Sequence, residues 1–315
     1  MNILVTGALG FIGSNLIPVL VKAGHEVLGL DSLVNVSVGA QDRIKSESGE
    51  HYGKFSCVGG DVCDFPSLHS LLVHRKIDAV VHLAARGSVP RSFKNPTDCV
   101  RANELGFARL VETMNEAGVR RLVFASSSSV YGDSAKNVKV EGEEGQVTNP
   151  YALSKRTNED FARIYCTPNG IQYVGLRFFN VYGPGQRPDN EFSAVIPRFI
   201  NNAPVINGDG GTRRDFTFVG DVTRAIECAL KYTEDSSKGS IVTNVGTGAG
   251  VTLKQLVLYL GKEATHGPAR VGDVSVSIAS TQLAEQVLGF KAGTPIAEGL
   301  EATKHFYENE AKRWL

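Results

Sequence analysis

The sequence has no excess of either charge. It contains 33 Lys and Arg residues and 33 Asp and Glu residues, so its formal net charge is zero. Because no overall positive field would draw the chain to nucleic acid or to an anionic membrane, we expect neither as a partner. Any phosphate that the protein binds must then be held by local residues.

Cysteines are few, and their spacing forms no pattern. The sequence contains five, at positions 57, 63, 99, 166 and 228. An odd number without paired spacing argues against a zinc site or a disulfide framework, and it suits a reducing compartment. We therefore expect no bound metal.

Long apolar runs and an export leader are also missing. No stretch approaches the roughly 18 apolar residues that a membrane-spanning helix needs. The chain opens with Asn-Ile-Leu-Val-Thr at residues 2–6, without the cationic segment and cleavage site of a secretory leader. These features predict a cytoplasmic protein that does not enter a membrane.

The remaining composition is that of an ordinary globular enzyme. Hydrophobic residues make up 42% of the 315 residues and charged residues 21%, which are values typical of a soluble protein with a large core. A chain of this length predicts one large α/β unit with a smaller appendage.

Short apolar runs recur along the first half of the chain, with amphipathic stretches between them. These runs cover residues 3–5, 26–30, 55–58, 79–83, 122–125 and 173–176. Several lack polar alternation, which is typical of parallel strands covered by helices on both faces. The predicted fold is therefore α/β, with a doubly wound, Rossmann-like parallel sheet.

A glycine-rich segment follows the first run directly. It reads Thr-Gly-Ala-Leu-Gly-Phe-Ile-Gly at residues 6–13 and then opens a helix. Gly7 allows a sharp turn, Gly10 lets the backbone approach a pyrophosphate, and Gly13 lets the helix pack close to the strand. The helix N-terminus offers free N–H groups to the anion. The segment therefore predicts a dinucleotide site.

Acidic residues at the ends of later strands refine this prediction. Asp31 ends the second strand, where a carboxylate would accept the ribose hydroxyls and repel a 2′-phosphate, so NAD is favoured over NADP. Asp61 and Val62 follow the third strand and could hold the adenine. Residues 82–85 end the fourth strand, where the cofactor should pass, and His82 among them is interpreted as a structural histidine.

After residue 177 the regular alternation gives way to frequent Pro and Gly. We predict an NAD-binding domain over residues 1–176, to which residues 217–245 return. A smaller C-terminal substrate lobe would consist of residues 177–216 and 246–315. Within it, residues 295–314 are predicted to form an amphipathic helix.

Two further segments carry reactive side chains. Tyr151 and Lys155 are spaced four apart at a helix start, so the phenol and the ammonium share one helical face. A cation beside a phenol is expected to lower the phenol pKa. Four serines at residues 126–129 end the fifth strand, at the sheet edge where α/β proteins bind ligands.

Together these segments resemble the extended short-chain dehydrogenase/reductase family. The likeness rests on residues 6–13, 126–132, 151–155 and 177–184, and it covers nearly the whole chain. Within that family the sequence is most similar to UDP-glucose and UDP-N-acetylglucosamine 4-epimerases. The resemblance implies that Tyr151 is the acid/base, Lys155 its activator and ribose anchor, and Ser127 the partner hydroxyl.

The resemblance also implies two sets of binding residues. For NAD the set is Gly7, Gly10, Phe11, Ile12, Gly13, Asp31, Asp61, Val62, Leu83, Ala84, Ala85, Asn103, Tyr151 and Lys155. For a UDP-sugar the set is Ser88, Ser127, Ser128, Ser129, Asn180, Val195, Arg214, Arg270, Asp273 and Ser277. In this interpretation Arg214 binds the diphosphate, with Asp215 orienting it, and Arg270 with Asp273 binds phosphate and the uridine ribose.

The implied reaction begins with oxidation at sugar C4. Tyr151 would take the proton from O4 while hydride leaves C4 for the cofactor. The keto sugar would rotate within the site and receive hydride on its other face. The expected activity is NAD-dependent interconversion of UDP-N-acetylglucosamine or UDP-glucose with its C4 epimer.

Three alternatives remain open. A 4,6-dehydratase needs an acid and a base that related dehydratases supply as Asp-Glu where this chain has Ser128 and Ser129. A UDP-glucuronate 4-epimerase typically has Thr in place of Asn180. A nonenzymatic NAD sensor on the same fold is the third alternative, although such proteins often lose a catalytic group that is present here.

The resemblance extends to substrate size and assembly. Ser277 occupies the position where UDP-glucose enzymes carry a bulky Tyr, so an N-acetyl group would fit. Residues 87–92 are similar to the loop of N-acetyl-preferring members. Relatives are commonly homodimers built on a four-helix interface, which would lie here in residues 95–117 and 151–165.

Overall fold

The computed structural model describes residues 1–188, 194–268 and 275–313. Each of the six predicted runs forms a strand, the fourth ending at His82. The strands are β1 (Asn2–Thr6), β2 (Glu26–Asp31), β3 (Phe55–Gly59), β4 (Ala79–His82), β5 (Arg121–Ser127), β6 (Val138–Lys139), β7 (Gln172–Phe178), β8 (Asn180–Tyr182), β9 (Val205–Asn207), β10 (Arg213–Arg214), β11 (Phe216–Phe218), β12 (Ile241–Val245), β13 (Val251–Thr252), β14 (Thr265–Gly267) and β15 (Val276–Ala279).

Helices alternate with these strands. They are α1 (Phe11–Lys22), α2 (Ala40–Ser48), α3 (Phe65–His74), α4 (Val89–Lys94), α5 (Pro96–Cys99), α6 (Gly106–Glu116), α7 (Pro150–Phe161), α8 (Val195–Asn201), α9 (Val219–Tyr232), α10 (Leu253–Tyr259), α11 (Gln282–Leu288) and α12 (Ile296–His305). In the described part of the chain, none is long and apolar enough to cross a bilayer.

Seven strands form one parallel sheet in the order β12-β7-β5-β4-β1-β2-β3. Strand β1 shows why residues 3–5 are apolar at successive positions. Ile3 and Val5 pack with helices α1 and α9 on one face, whereas Leu4 packs with α3 and α6 on the other. A sheet covered on both faces needs apolar side chains at successive positions. The predicted doubly wound α/β fold is confirmed.

The sheet order places the candidate site. The chain runs from β1 outward through β2 to β3, and then crosses back to β4 on the other side of β1. Ligands of doubly wound sheets bind at such a reversal, outside the carboxyl ends of the strands. The glycine loop after β1 and the serines at the end of β5 both lie at that edge.

Smaller sheets lie in the second half of the chain. One has the order β13-β10-β15-β6, and two-stranded pairs join β8 to β11 and β9 to β14. Beside them, Ile196, Phe199 and Leu256 belong to a separate apolar cluster. In the four-stranded sheet, Arg214 of β10 is in register with Ser277 of β15, which places two predicted substrate residues side by side.

The C-terminal segment packs on the loops that follow β2 and β8. The predicted helix over residues 295–314 forms as α12 and continues as a π-helical turn (Phe306–Glu310) and a 3-10 turn (Ala311–Arg313). Phe306 and Tyr307 are buried against Val38. The Tyr307 hydroxyl donates to the carbonyl of Gln186, so the end of the chain braces the loop after β8.

Candidate active site

The glycine loop is shaped by close backbone contacts. Gly7 has a φ of +69°, and a Cβ there would lie 2.8 Å from the backbone nitrogen of Ala84. A Cβ on Gly13 would lie 2.3 Å from the carbonyl oxygen of Gly7. Because both clashes are with backbone, neither can be relieved by a side-chain rotation. The loop therefore keeps the N-terminus of α1 open toward the strand ends.

Asp31 braces this loop from the end of β2. Its carboxylate accepts hydrogen bonds from the backbone N–H of Leu9 at 2.9 Å and of Leu33 at 2.8 Å. Asp61, after β3, is paired with Arg101 at 2.8 Å. The two carboxylates line the same cavity.

The cavity lies at the carboxyl edge of the main sheet and has a volume of about 390 Å³. The predicted cofactor and catalytic residues that line it are Gly7, Gly10, Phe11, Ile12, Gly13, Asp31, Asp61, Val62, Leu83, Ala84, Ala85, Ser127, Tyr151 and Lys155. Arg86, Phe178 and Phe179 also line it. Sequence reasoning missed the two phenylalanines because an apolar residue at a strand end resembles any other core residue, and it missed Arg86 because no motif includes that position.

The strand end after β5 is joined to helix α7. Ser127 faces the Tyr151 phenol and lowers the phenol pKa, and the Lys155 ammonium donates to the carbonyl of Ala125 at 2.8 Å. Asn149 caps the helix by accepting from the N–H of Ala152 at 2.8 Å, which fixes the turn that carries Tyr151. The three predicted catalytic groups therefore meet at one wall of the cavity.

Burial controls the acidity of these groups. It raises the pKa of Tyr151, and Ser127 opposes that rise only in part. The expectation that Lys155 would lower the phenol pKa is therefore not met in this structure, since the ammonium is bound to Ala125 instead. Burial also lowers the pKa of Lys155 to about 8, against the raising effects of Cys99 and Glu159.

His82 lies behind this wall. Its Nδ1 is 2.8 Å from the Thr6 hydroxyl, and the ring is almost fully buried. Burial and the nearby Lys155 charge lower the pKa of His82 to about 3, so the imidazole is neutral. A neutral buried ring packed near Phe107 agrees with a structural role.

Asn103 also lies behind the cavity lining rather than in it. It is fully buried, its carbonyl oxygen accepts from the N–H of Arg86 at 2.7 Å, and its amide donates to Ser154 at 2.9 Å. The amide thereby supports a residue that lines the cavity. A direct contact with the cofactor, as the sequence resemblance implies, would require this amide to exchange partners.

The predicted substrate residues do not line the main cavity, apart from Ser127. Ser88 lines a second, polar cavity of about 210 Å³ that shares Phe11 and Gly87 with the first. Ser128 and Ser129 lie in a 3-10 turn after β5. Val195 begins α8. Arg270 and Asp273 lie outside the described residues.

Asp215 does not orient Arg214 as predicted. Its carboxylate is fully buried and accepts from the backbone N–H of Thr247 and of Gly248, each at 2.9 Å. The Arg214 guanidinium instead donates to the carbonyl of Arg213 at 3.1 Å. Neighbouring strand residues point to opposite faces, so Asp215 anchors the sheet while Arg214 lies on its other side.

A buried ion network beside the cavity was not predicted. Arg177 of β7 donates through Nε and Nη2 to the two carboxylate oxygens of Glu159, at 2.9 and 2.8 Å, and through Nη1 to Glu144. It also lies over the Tyr131 ring at 4.9 Å. One signal was available, because Glu159 is spaced four residues after Lys155 on the same helix.

The geometry agrees with the comparisons to known proteins. The profile of the NAD dependent epimerase/dehydratase family matches residues 3–246. The chain belongs to this family. Its cofactor is NAD, and the described residues fit that group, since the close-packed glycine loop and Asp31 stand together at the cavity rim.

Relatives in the family act on different UDP-sugars. A UDP-glucose-4-epimerase from Stenotrophomonas maltophila, solved with NAD and formylated UDP-arabinopyranose, has a TM-score of 0.93 and is 31% identical over 99% of both chains. A UDP-N-acetylglucosamine 4-epimerase from Methanobrevibacter ruminantium, solved with UDP-N-acetylmuramic acid, has a TM-score of 0.87 and is 29% identical over 98% of both. A UDP-glucuronate 4-epimerase of Thermodesulfobacterium geofontis is 32% identical over 95% of this chain and 94% of its own.

Proposed function

We propose that this protein is a UDP-sugar 4-epimerase that accepts UDP-N-acetylglucosamine and UDP-glucose. The observation that carries the proposal is the meeting of Ser127, Tyr151 and Lys155 on the wall of the NAD cavity. A base that removes the O4 proton and a hydroxyl that shares it are the protein groups that oxidation of a secondary alcohol requires.

Each of the three groups has one task. Tyr151 removes the proton from O4, and Ser127 keeps the phenol oriented toward the sugar. Lys155 provides the positive charge that stabilises the phenolate once the phenol ionises. The glycine loop and Asp31 would hold NAD, which would supply the hydride acceptor for C4 and the hydride donor for the other face of the sugar.

Two serines support epimerisation over dehydration. Removing water across C5 and C6 needs a further acid and base, and the residues after Ser127 are Ser128 and Ser129, whose hydroxyls are poor groups for either task. A related dehydratase would carry Asp-Glu at these positions. An epimerase needs neither carboxylate.

The proposal is tested with a panel of UDP-sugars and proton NMR of the products. The expected result is the C4 epimer of UDP-N-acetylglucosamine and of UDP-glucose. A 4-keto-6-deoxy product would show a dehydratase instead. A protein that only senses NAD would bind the cofactor without the rise in NADH-like absorbance that an enzyme shows when a UDP-sugar is added.

The preference for an N-acetyl group is proposed on Ser277. Its side chain is a small hydroxymethyl group, and it stands in strand register with Arg214. Ser277→Tyr is expected to cost acetylated substrates far more than plain ones, about 10- to 100-fold in kcat/KM, because overpacking excludes the bulkier C2 substituent. The kcat/KM ratio of the two UDP-sugars measures this effect.

A matched control is Ser280→Tyr, on the same chain segment one residue after β15 ends, which should leave the substrate ratio unchanged. If Ser277→Tyr slows both classes equally, or if the wild type turns over only UDP-glucose, Ser277 is not the residue that selects the C2 substituent.

A second candidate substrate is a UDP-uronic acid. The second cavity is lined by Arg91 and Arg187 as well as by Ser88, and guanidinium groups suit a sugar carboxylate. Asn180 argues against a UDP-uronic acid as substrate, because UDP-glucuronate enzymes typically have Thr in its position. Faster turnover of UDP-glucuronate than of the neutral sugars in the panel would favour this alternative.

We propose that the enzyme is a homodimer. Helix α7 and the π-helical segment Val100–Leu105 pack against each other, and a second π-helical segment (Ala162–Cys166) continues α7. These elements expose apolar side chains: Val100, Leu105, Leu153 and Ile164 are each at least 45% exposed. Grouped apolar exposure of this kind is typical of an interface. On the opposite side, α7 carries Tyr151 and Lys155.

Replacing both Leu153 and Ile164 with Glu is expected to convert a dimer to a monomer, because paired carboxylates cannot be buried in a symmetric interface. Sedimentation velocity measures the change. The control is Leu258→Glu, which changes an exposed leucine on α10 and should leave the mass unaltered. A monomeric wild type would contradict the dimer.

A further inference from the structure

Three successive residues at the end of β5 face three turns of α7. Ala125 accepts from Lys155 at 2.8 Å, the Ser126 hydroxyl donates to Glu159 at 2.5 Å, and Ser127 faces the Tyr151 phenol. On α7 these partners stand at positions 151, 155 and 159, one helical face. The middle contact, between Ser126 and Glu159, involves Glu159, to which the proposed reaction gives no role.

Glu159 is held on two sides. Arg177 lies directly opposite Ser126 in the register of β5 and β7, and its guanidinium forks onto both carboxylate oxygens of Glu159. Glu159 is 7% exposed and Arg177 is 5% exposed. A bidentate pair of this geometry fixes direction as well as charge. The strand end and the catalytic helix are therefore locked in one relative position.

The charge of Glu159 bears on Lys155. The titratable groups that face Lys155 are Cys99 of α5, His82 of β4, and Glu159 on its own helix. His82 is neutral, and burial raises the pKa of Cys99, so that thiol is uncharged at neutral pH. Of the three groups that face Lys155, Glu159 is the carboxylate. Its own neighbours include Arg177 and Tyr173.

We propose that Glu159 is a positioning residue for the proton transfer: it locks Ser126, and hence Ser127, against α7, and it supplies the buried negative charge that balances the Lys155 ammonium. This inference rests on the proposed epimerase function. It adds a fourth residue to the machinery, one that acts through Ser127 and Lys155 without touching the sugar.

The test is Glu159→Gln, which keeps the shape and removes the charge. Activity that needs the ammonium is lost as pH rises through the Lys155 pKa, which is about 8 in this structure. Without Glu159 the ammonium releases its proton more readily, so the basic limb of the kcat profile should move down by about one pH unit. KM for the UDP-sugar should change little, since Glu159 does not line the cavity.

Two variants separate charge from position. Ser126→Ala removes the contact with Glu159 without changing charge, so kcat should fall at every pH while the basic limb stays in place. Glu159→Asp keeps the charge, so the basic limb of its kcat profile should stay at the wild-type pH. This variant also serves as a test if Glu159→Gln fails to fold. The control on the same helix is Asp160→Asn, whose ion pairs with Arg156 and Arg163 are exposed; its profile should match the wild type.

A direct measurement does not depend on turnover. The Cε resonance of Lys155 in protein labelled with 13C-lysine, assigned with Lys155→Met, reports its ionisation in any of these variants. A wild type inactive on every UDP-sugar refutes the proposed function, and the NMR titration still decides the role of Glu159. An unchanged Lys155 titration in Glu159→Gln, or full activity in Ser126→Ala, would overturn this inference alone.

Discussion

Turnover of UDP-sugars by Tyr151→Phe is expected to fall by about 1,000-fold, because the variant lacks the oxygen that removes the O4 proton. NAD should remain bound, since the glycine loop and Asp31 are untouched. The Tyr151 ring stays half-buried on the cavity wall, so the loss of one oxygen should leave the fold intact. Single-turnover kinetics and the NAD content of the purified variant measure the two effects.

Tyr259→Phe serves as the control. Tyr259 is 51% exposed at the end of α10, and losing its hydroxyl should leave turnover at the wild-type value. If Tyr151→Phe keeps a near-normal rate, the acid/base is another group, and the assignment of Lys155 as its activator is lost with it.

Arg177→Met is expected to lower the free energy of unfolding by about 3–5 kcal/mol, the range for removing one partner of a buried ion pair. The methionine fills similar space, but Glu159 and Glu144 then face each other without the cation between them. The loss should be partly restored by Glu159→Gln in the double variant, because that change removes one of the stranded charges.

The loss of stability in Arg177→Met should become smaller as the pH falls. Burial would raise the pKa of Glu144, but hydrogen bonds from Arg177 and from the backbone hold it below its usual value. A carboxyl whose pKa is lowered by folding contributes stability above its unfolded pKa, and that stability is lost as pH falls through the folded value. The difference in the free energy of unfolding between the wild type and Arg177→Met should therefore become smaller below about pH 4.5.

Urea unfolding at several pH values tests both statements. Arg109→Met is the control, since the Arg109–Glu112 pair at 2.9 Å is nearly half exposed and such pairs contribute about 0–1 kcal/mol. An Arg177→Met variant as stable as the wild type would show that the network contributes no net stability.

The sequence by itself determined the parts of this protein that depend on near neighbours. The six apolar runs, the turn that Gly7 requires, and the shared helical face of Tyr151 and Lys155 are set by residues within one strand or two helical turns. Periodicity and steric limits act over those distances, so the fold class and the glycine-loop cofactor site could be predicted before any contact was known.

Tertiary structure alone decided which distant residues meet. Arg177 faces Ser126 because β5 and β7 are paired, although 51 positions separate them along the chain. The same pairing brings Arg177 to Glu159 at the catalytic wall. Other long-range contacts hold Asp215 against the backbone of Thr247 and Gly248, and Asn103 against Arg86 and Ser154. Hydrogen bonds of buried polar groups depend on strand order and register, and these are properties of the whole packed sheet that no local pattern encodes.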